Sequence, residues 1–207
     1  ILKNVYVQLS TGMNIHDISL PVFICEPRSM LEKITDFMGY PQFIIRVPYL
    51  ENPLQRFVGI LKFVLSCWSL SPNTAKKPFN PVLGEYFRSR WRFQDSSYGY
   101  YIGEQTSINP PISSYYFCNP ANGIVIHGET CPKTKLSGTN LKTVLKGGNK
   151  IIFYKHQKYY NQNEKEYYIS TPNISIKNKW FKSLSMNYSD TFFIWCPNTQ
   201  YIAIINF

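Results

Sequence analysis

Lys77-Pro78-Phe79-Asn80-Pro81-Val82-Leu83-Gly84-Glu85 lies where the periodicity of the chain changes. Its two prolines hold the backbone extended, so it joins a helical region to a β region without continuing the helix. Lys77 and Asn80 are left as polar side chains three residues apart. Lysine offers a point charge to phosphate, and asparagine offers both a donor and an acceptor. Taken alone, the segment suits either of two roles: a phosphate-binding loop, or a rigid linker whose polar groups face water.

Upstream of it the spacing is helical. Ser29-Met30-Leu31-Glu32 has the Ser-x-x-Glu form of a capping box. Met30, Ile34, Phe37 and Met38 then recur at helical spacing until Gly39. A second start is Asn52-Pro53, with Asn as N-cap and Pro at the first helical position. Leu54, Phe57, Val58, Leu61, Val64, Leu65 and Trp68 follow as one predicted apolar face, and Pro72 closes the segment. Helices are predicted over 29–38 and 53–68.

Downstream, short β-rich runs are separated by Asn, Gly and Pro: 98–102, 114–118, 123–127, 141–145, 150–154, 167–170, 173–176, 191–196 and 201–207. That spacing predicts a meandering antiparallel sheet or barrel. Asn119-Pro120-Ala121-Asn122-Gly123 and Gly147-Gly148-Asn149 are predicted as hairpin turns, and 156–165 as an exposed hairpin loop. The fold class is thus mostly β with N-terminal helices.

The 207 residues suit one large domain or two small ones. Apolar content of 44% excludes a disordered chain. No stretch has the ~18 apolar residues a membrane span needs, and the N-terminus has no signal-peptide layout. The chain begins at Ile1 rather than Met, which leads us to expect a trimmed fragment. Five widely spaced cysteines and three scattered histidines form no zinc pattern, so reduced, mostly buried thiols in the cytosol are expected, with no metal and no cofactor. Asn173-Ile174-Ser175 and Asn187-Tyr188-Ser189 match the glycosylation sequon by chance on this reading. A net charge of +10 points to an anionic partner, nucleic acid or membrane, without separating the two.

The 77–85 segment resembles the Lys-Pro-Phe-Asn-Pro-x-Leu-Gly-Glu stretch of the oxysterol-binding-protein family. Glu104-Gln105-Thr106-Ser107-Ile108-Asn109-Pro110-Pro111 resembles that family's Glu-Gln-x-Ser-His-His-Pro-Pro signature. Leu20-Pro21-Val22-Phe23-Ile24-Cys25-Glu26-Pro27-Arg28-Ser29 is similar to its Leu-Pro-x-x-x-x-Glu-Pro-x-Ser segment. Thr134-Lys135-Leu136-Ser137-Gly138 and residues 167–172 resemble family strands. The resemblance implies an antiparallel β-barrel around a lipid tunnel, incomplete in this chain. It divides residues 1–207 into a lid and junction (1–28), a helical segment (29–72) and barrel strands (73–207) of one lipid-binding domain fragment.

The resemblance further implies a carrier that binds sterol or phospholipid, exchanges it for phosphatidylinositol 4-phosphate between membranes, and works in the cytoplasm, peripheral to organelle membranes. Lys77 and Asn80 would contact lipid phosphates at the tunnel mouth. The family's paired histidines are here Ile108 and Asn109. Isoleucine cannot donate to phosphate, and asparagine keeps only a neutral donor. The family's closing strands and C-terminal Lys/Glu/Arg helix would lie after Phe207, so either a longer natural protein or a separate piece that carries those residues is expected.

Arg88, Arg90 and Arg92 alternate on a predicted strand and share a face. That face either touches anionic lipid heads or is simply solvated; Trp91 on the opposite face is predicted core. Residues 13–19, with His16, would form the lid-to-barrel junction. His16 has no accompanying nucleophile, Ser107 sits in no nucleophile elbow, and Glu85 and Glu104 belong to structural motifs, so no catalysis is expected. The rival function is a basic β-module binding single-stranded nucleic acid, which sixteen tyrosines would suit. No RNP-like aromatic motif supports it, and no nucleic acid is expected as partner. A degenerate family member acting as lipid sensor or tether is a third possibility.

Overall fold

Helical spacing before the 77–85 segment becomes helices, and alternation after it becomes strands. The computed structural model describes residues 22, 25–69, 76–137, 140–155, 165–179 and 183–207. A short strand, β1 (Cys25–Ser29), leads into helix α1 (Met30–Ile34), a 3-10 turn over Thr35–Met38, helix α2 (Gln42–Ile45) and the long helix α3 (Pro53–Ser69). Strand β2 (Lys77–Phe79) pairs parallel with β1.

One antiparallel sheet takes up the rest. Its strands are β3 (Tyr86–Arg92), β4 (Tyr98–Ile108), β5 (Pro111–Asn119), β6 (Ile124–Ser137), β7 (Asn140–Phe153), β8 (Glu166–Ser170), β9 (Asn173–Lys179), β10 (Ser183–Ser189), β11 (Thr191–Cys196) and β12 (Tyr201–Asn206). The spatial order is β12-β11-β8-β7-β6-β5-β4-β3, and β9 pairs with β7 and carries β10 alongside. Among the described residues β3 and β12 end the main path of the sheet and β10 ends its side branch, so it is open rather than a closed barrel.

Period-2 alternation gives this sheet one buried face. Tyr101, Tyr115, Phe117, Ile126, Ile151, Phe153, Ile169, Phe192 and Ile194 are all buried there. They share a core with Phe57, Ile60, Phe63 and Val64 of α3. Each such side chain contributes about 1.5–3 kcal/mol by leaving water. Ring contacts mark the seam: Phe57 lies 5.7 Å from Tyr201, Trp68 6.3 Å from Phe192, and Phe37 5.4 Å from Tyr115.

Several expectations are corrected. The 29–38 helix is α1 followed by a 3-10 turn, and Gly39 caps it at φ −62° rather than in the left-handed region. α2 has no apolar period long enough to reveal it. On α3 the buried stripe is rotated from the predicted one: Leu54, Val58 and Leu65 are exposed, whereas Ile60, Phe63 and Arg56 are buried. Arg56 enters the core because its Nη1 donates to the carbonyls of Leu50 (2.7 Å) and Glu51 (2.8 Å).

Gly147-Gly148-Asn149 is not a turn. Runs 141–145 and 150–154 belong to one strand, β7, paired without interruption to β6 through Thr130–Gly147, Glu129–Gly148 and Gly128–Asn149. Gly147 has φ +116°, and a Cβ there would collide with the Glu129 carbonyl oxygen. The glycine thus permits close approach inside a strand. The Asn119–Gly123 turn does form between β5 and β6, with Gly123 at φ +64°. β10 was not read from the sequence. Residues 1–21, with His16, Pro72 and most of the 156–165 loop lie outside the described residues.

Candidate functional site

The three sequence segments singled out above converge. β1 carries Glu26-Pro27-Arg28-Ser29, and its Cys25 stands opposite Lys77 on β2. Ser29 caps α1 by accepting from the Leu31 amide (3.4 Å), while its Oγ donates to Glu85 Oε1 at 2.6 Å. The other carboxylate oxygen of Glu85 accepts from the Val82 amide at 3.0 Å. One side chain therefore closes the 82–85 turn and fastens it to the start of α1. Gly84 sits in that turn at φ +77°, in the left-handed region that favours glycine.

The same turn is stitched to β4. The Gly84 amide donates to the Gln105 carbonyl, and the Gln105 amide to the Glu85 carbonyl, each at 3.0 Å. The Gln105 side chain is buried; it accepts from Ser113 Oγ (2.5 Å) and donates to the Ser107 carbonyl (2.7 Å). Three residues on, β4 and β5 turn through Asn109 and Pro110, whose peptide bond is cis, with Ile108 opposite Pro111. Ile108 is 58% exposed, and Asn109 is exposed at the tip.

Lys77 is half-buried, and burial lowers its ammonium below the ordinary lysine value. It takes part in no ion pair among the described residues. A partly desolvated cation without a counter-charge marks a place where an anion can bind. Asn80 is exposed just beyond it. No hydrogen bond joins Lys77, Asn80, Ile108 and Asn109 to one another; what brings their segments to one end of the sheet is the Gly84–Gln105–Glu85 backbone pairing.

Beside this, an ion cluster fixes β1 to the first helix. Arg28 donates to both oxygens of Asp36 (2.8 and 3.0 Å), and Lys33 approaches Asp36 (3.1 Å) and Glu26 (3.5 Å). Burial pushes the Asp36 carboxyl up, but the bonds from Arg28 and Lys33 outweigh it and hold it below the ordinary range.

Arg88, Arg90 and Arg92 are exposed on one face of β3, and Trp91 packs on the opposite, inner face, as the alternation predicts. Arg88 lies over the Tyr86 ring (5.2 Å) and Arg90 over Tyr98 (5.1 Å). Exposed Tyr100 and Tyr116 share that face. Glu104 is exposed and Glu85 is occupied by Ser29 and Val82. Among the described residues no cluster of three metal-ligating side chains occurs, and no helix is long and apolar enough to cross a membrane.

Comparison with known proteins decides the family. The family model described as oxysterol-binding protein matches residues 4–207. This chain belongs to the oxysterol-binding protein family. It is 34% identical to oxysterol-binding protein homolog 6 of Saccharomyces cerevisiae over 97% of this chain and 44% of that protein. It is also 34% identical to human oxysterol-binding protein-related protein 8, over 97% of this chain and 22% of that protein. The chain thus spans about half the length, or less, of these curated relatives. In fold it is similar to the Osh1 ORD domain in complex with ergosterol, with a TM-score of 0.80 at 20% identity, covering 100% of this chain and 56% of that one. It is similar also to the Saccharomyces cerevisiae Osh3 ORD in complex with PI(4)P, with a TM-score of 0.71 at 20% identity over 91% of this chain and 48% of that one.

Buried Gln105, the Ser29–Glu85 bond and Cys25 beside Lys77 were not read as site features. Gln105 and Glu85 stood inside the quoted segments, but no sequence signal says that the two meet.

Proposed function

We propose that this family member binds lipid and transfers it between membranes, as one part of a single lipid-binding domain. Lys77 and Asn80 meet the phosphate of an anionic head group. The observation that carries this reading is Lys77 itself: a half-buried ammonium with no counter-charge among the described residues, on a loop fixed by Glu85 and Gln105. Prior fixing matters because a donor held in place loses little freedom on binding. The family relatives, and neighbours whose structures hold ergosterol and PI(4)P, support a sterol or phospholipid cargo. Catalysis has no support: Glu85 is engaged in holding the loop.

The exposed Arg88, Arg90 and Arg92 row gives an anionic membrane surface something to meet, at about 1 kcal/mol per basic residue. This fits action at the cytosolic face of organelle membranes. Ile108 and Asn109, in place of two histidines, weaken the grip on a phosphoinositide head group while leaving cargo held by apolar walls unaffected.

The direct test is the purified protein. Mass spectrometry of its organic extract is expected to find sterol or phospholipid. An elevated 260 nm absorbance with no lipid would favour single-stranded nucleic acid instead.

A further inference from the structure

A second polar site lies at the far end of β3. From Tyr86 beside the Glu85 turn to Arg92 the strand advances six residues, about 20 Å. There a cleft of about 500 Å³ opens between α2 with the turn after it and the β3–β4 hairpin. Buried Ile45 and Phe93 are among its lining residues, with Arg46, Arg92, Gln42 and Gln94 exposed.

The cleft is built rather than accidental. Tyr49 Oη, from the helical wall, donates to Asn122 Oδ1 at 2.6 Å. Asn122 Nδ2 donates to Asp95 Oδ2 (2.8 Å) and approaches Ser97 Oγ (3.1 Å). Ser97 donates to Asp95 Oδ1 from both its amide (3.0 Å) and its hydroxyl (2.7 Å), and buried Asn119 donates to Ser97 Oγ (2.8 Å). The two walls are thereby tied together, and both Asp95 oxygens are already occupied. The side chains of Arg46 and Arg92 make no ion pair and no hydrogen bond among the described residues. Two free guanidiniums against one saturated carboxylate leave a net positive cleft.

We propose that this cleft binds a phosphate monoester through Arg46 and Arg92. Guanidinium forks match phosphate oxygens in pairs, and a dianion suits two of them. Its source is a soluble phosphate ester or a lipid head group presented by a membrane. The site is separate from the Lys77–Asn80 loop and does not depend on it; it shares Arg92 with the arginine row proposed above to meet membranes, whereas Arg46 belongs to the cleft alone.

The test titrates the protein with glycerol 3-phosphate by calorimetry, and separately with phosphatidylcholine vesicles containing phosphatidic acid by flotation. Arg46→Gln and Arg92→Gln are each expected to weaken binding at least tenfold; both side chains are exposed, so thermal unfolding should be unchanged. In the calorimetric arm Lys77→Ala is expected to keep glycerol 3-phosphate binding in the cleft, and the vesicle arm compares the parent with the arginine variants only. Calorimetric binding identifies a soluble ester, and vesicle binding alone identifies a membrane head group. Binding of neither probe, or binding retained by both arginine variants, would overturn the proposal. Loss on Lys77→Ala alone would assign the phosphate to the other loop.

Discussion

Ser29 Oγ donates to Glu85 Oε1 at 2.6 Å, joining residues 56 apart in sequence and fastening the 77–85 loop to the start of α1. Glu85→Gln keeps one acceptor oxygen but replaces the one that receives the Val82 amide with a donor. A cost of about 1–2 kcal/mol is expected. Anionic-lipid binding should weaken with it, since Lys77 and Asn80 lose their fixed setting. Ser29→Ala should do the same in part. Urea unfolding and vesicle extraction on the two variants check this; full binding by both would show that the bond serves stability alone.

Lys77 has an expected pH signature. Burial lowers its pKa, so its charge is lost at a lower pH than that of an exposed lysine. Anionic-lipid binding should fall on the alkaline side, beginning below 10.5. Stability moves the opposite way. The unfolded chain binds this proton more tightly, so folding gains as pH rises through that window. Lys77→Gln should remove both trends, read from extraction and unfolding across alkaline pH.

Ile108 and Asn109 occupy an exposed turn that tolerates substitution. Ile108→His with Asn109→His is expected to increase phosphatidylinositol 4-phosphate extraction by the full-length protein. A tenfold gain corresponds to ~1.4 kcal/mol. Tight extraction before the change and no gain after it would mean that other basic residues already hold the head group.

The Asp36 carboxylate receives Arg28 and Lys33, and its side chain is 38% exposed. Solvent screening limits its worth, so Asp36→Asn should cost about 1 kcal/mol or less. Because its pKa is held down, this contribution is present above the ordinary carboxylate range and fades as pH falls through the lowered value. Denaturant unfolding at neutral and acid pH should show the variant and the parent converging in acid.

Much of this architecture was legible. The 191–196 run became β11 to the residue, because Thr191-Phe192-Phe193-Ile194-Trp195-Cys196 has strict alternation and clear turns beside it. The Gly147-Gly148 pair misled because glycine marks turns and close strand approach alike, and only the packing of Glu129 against it separates them. The stripe of α3 was misplaced because its burial depends on Arg56 reaching two carbonyls that precede the helix, a tertiary fact. Lys77 and Asn80 were legible as residue types. Their fixing by Glu85 and Gln105 was not, since the partners lie on separate elements. The Arg46–Arg92 cleft could not be read at all, as its two cations come from separate elements, the end of α2 and the end of β3.

Extraction of an anionic phospholipid from vesicles by the parent protein, Lys77→Ala and Asn80→Ala bears most directly on the central claim. The account predicts that the parent extracts lipid and that each substitution reduces extraction severalfold while thermal unfolding stays close to that of the parent. Extraction undiminished in both variants would contradict it, and would make the 77–85 segment a rigid linker and nothing more.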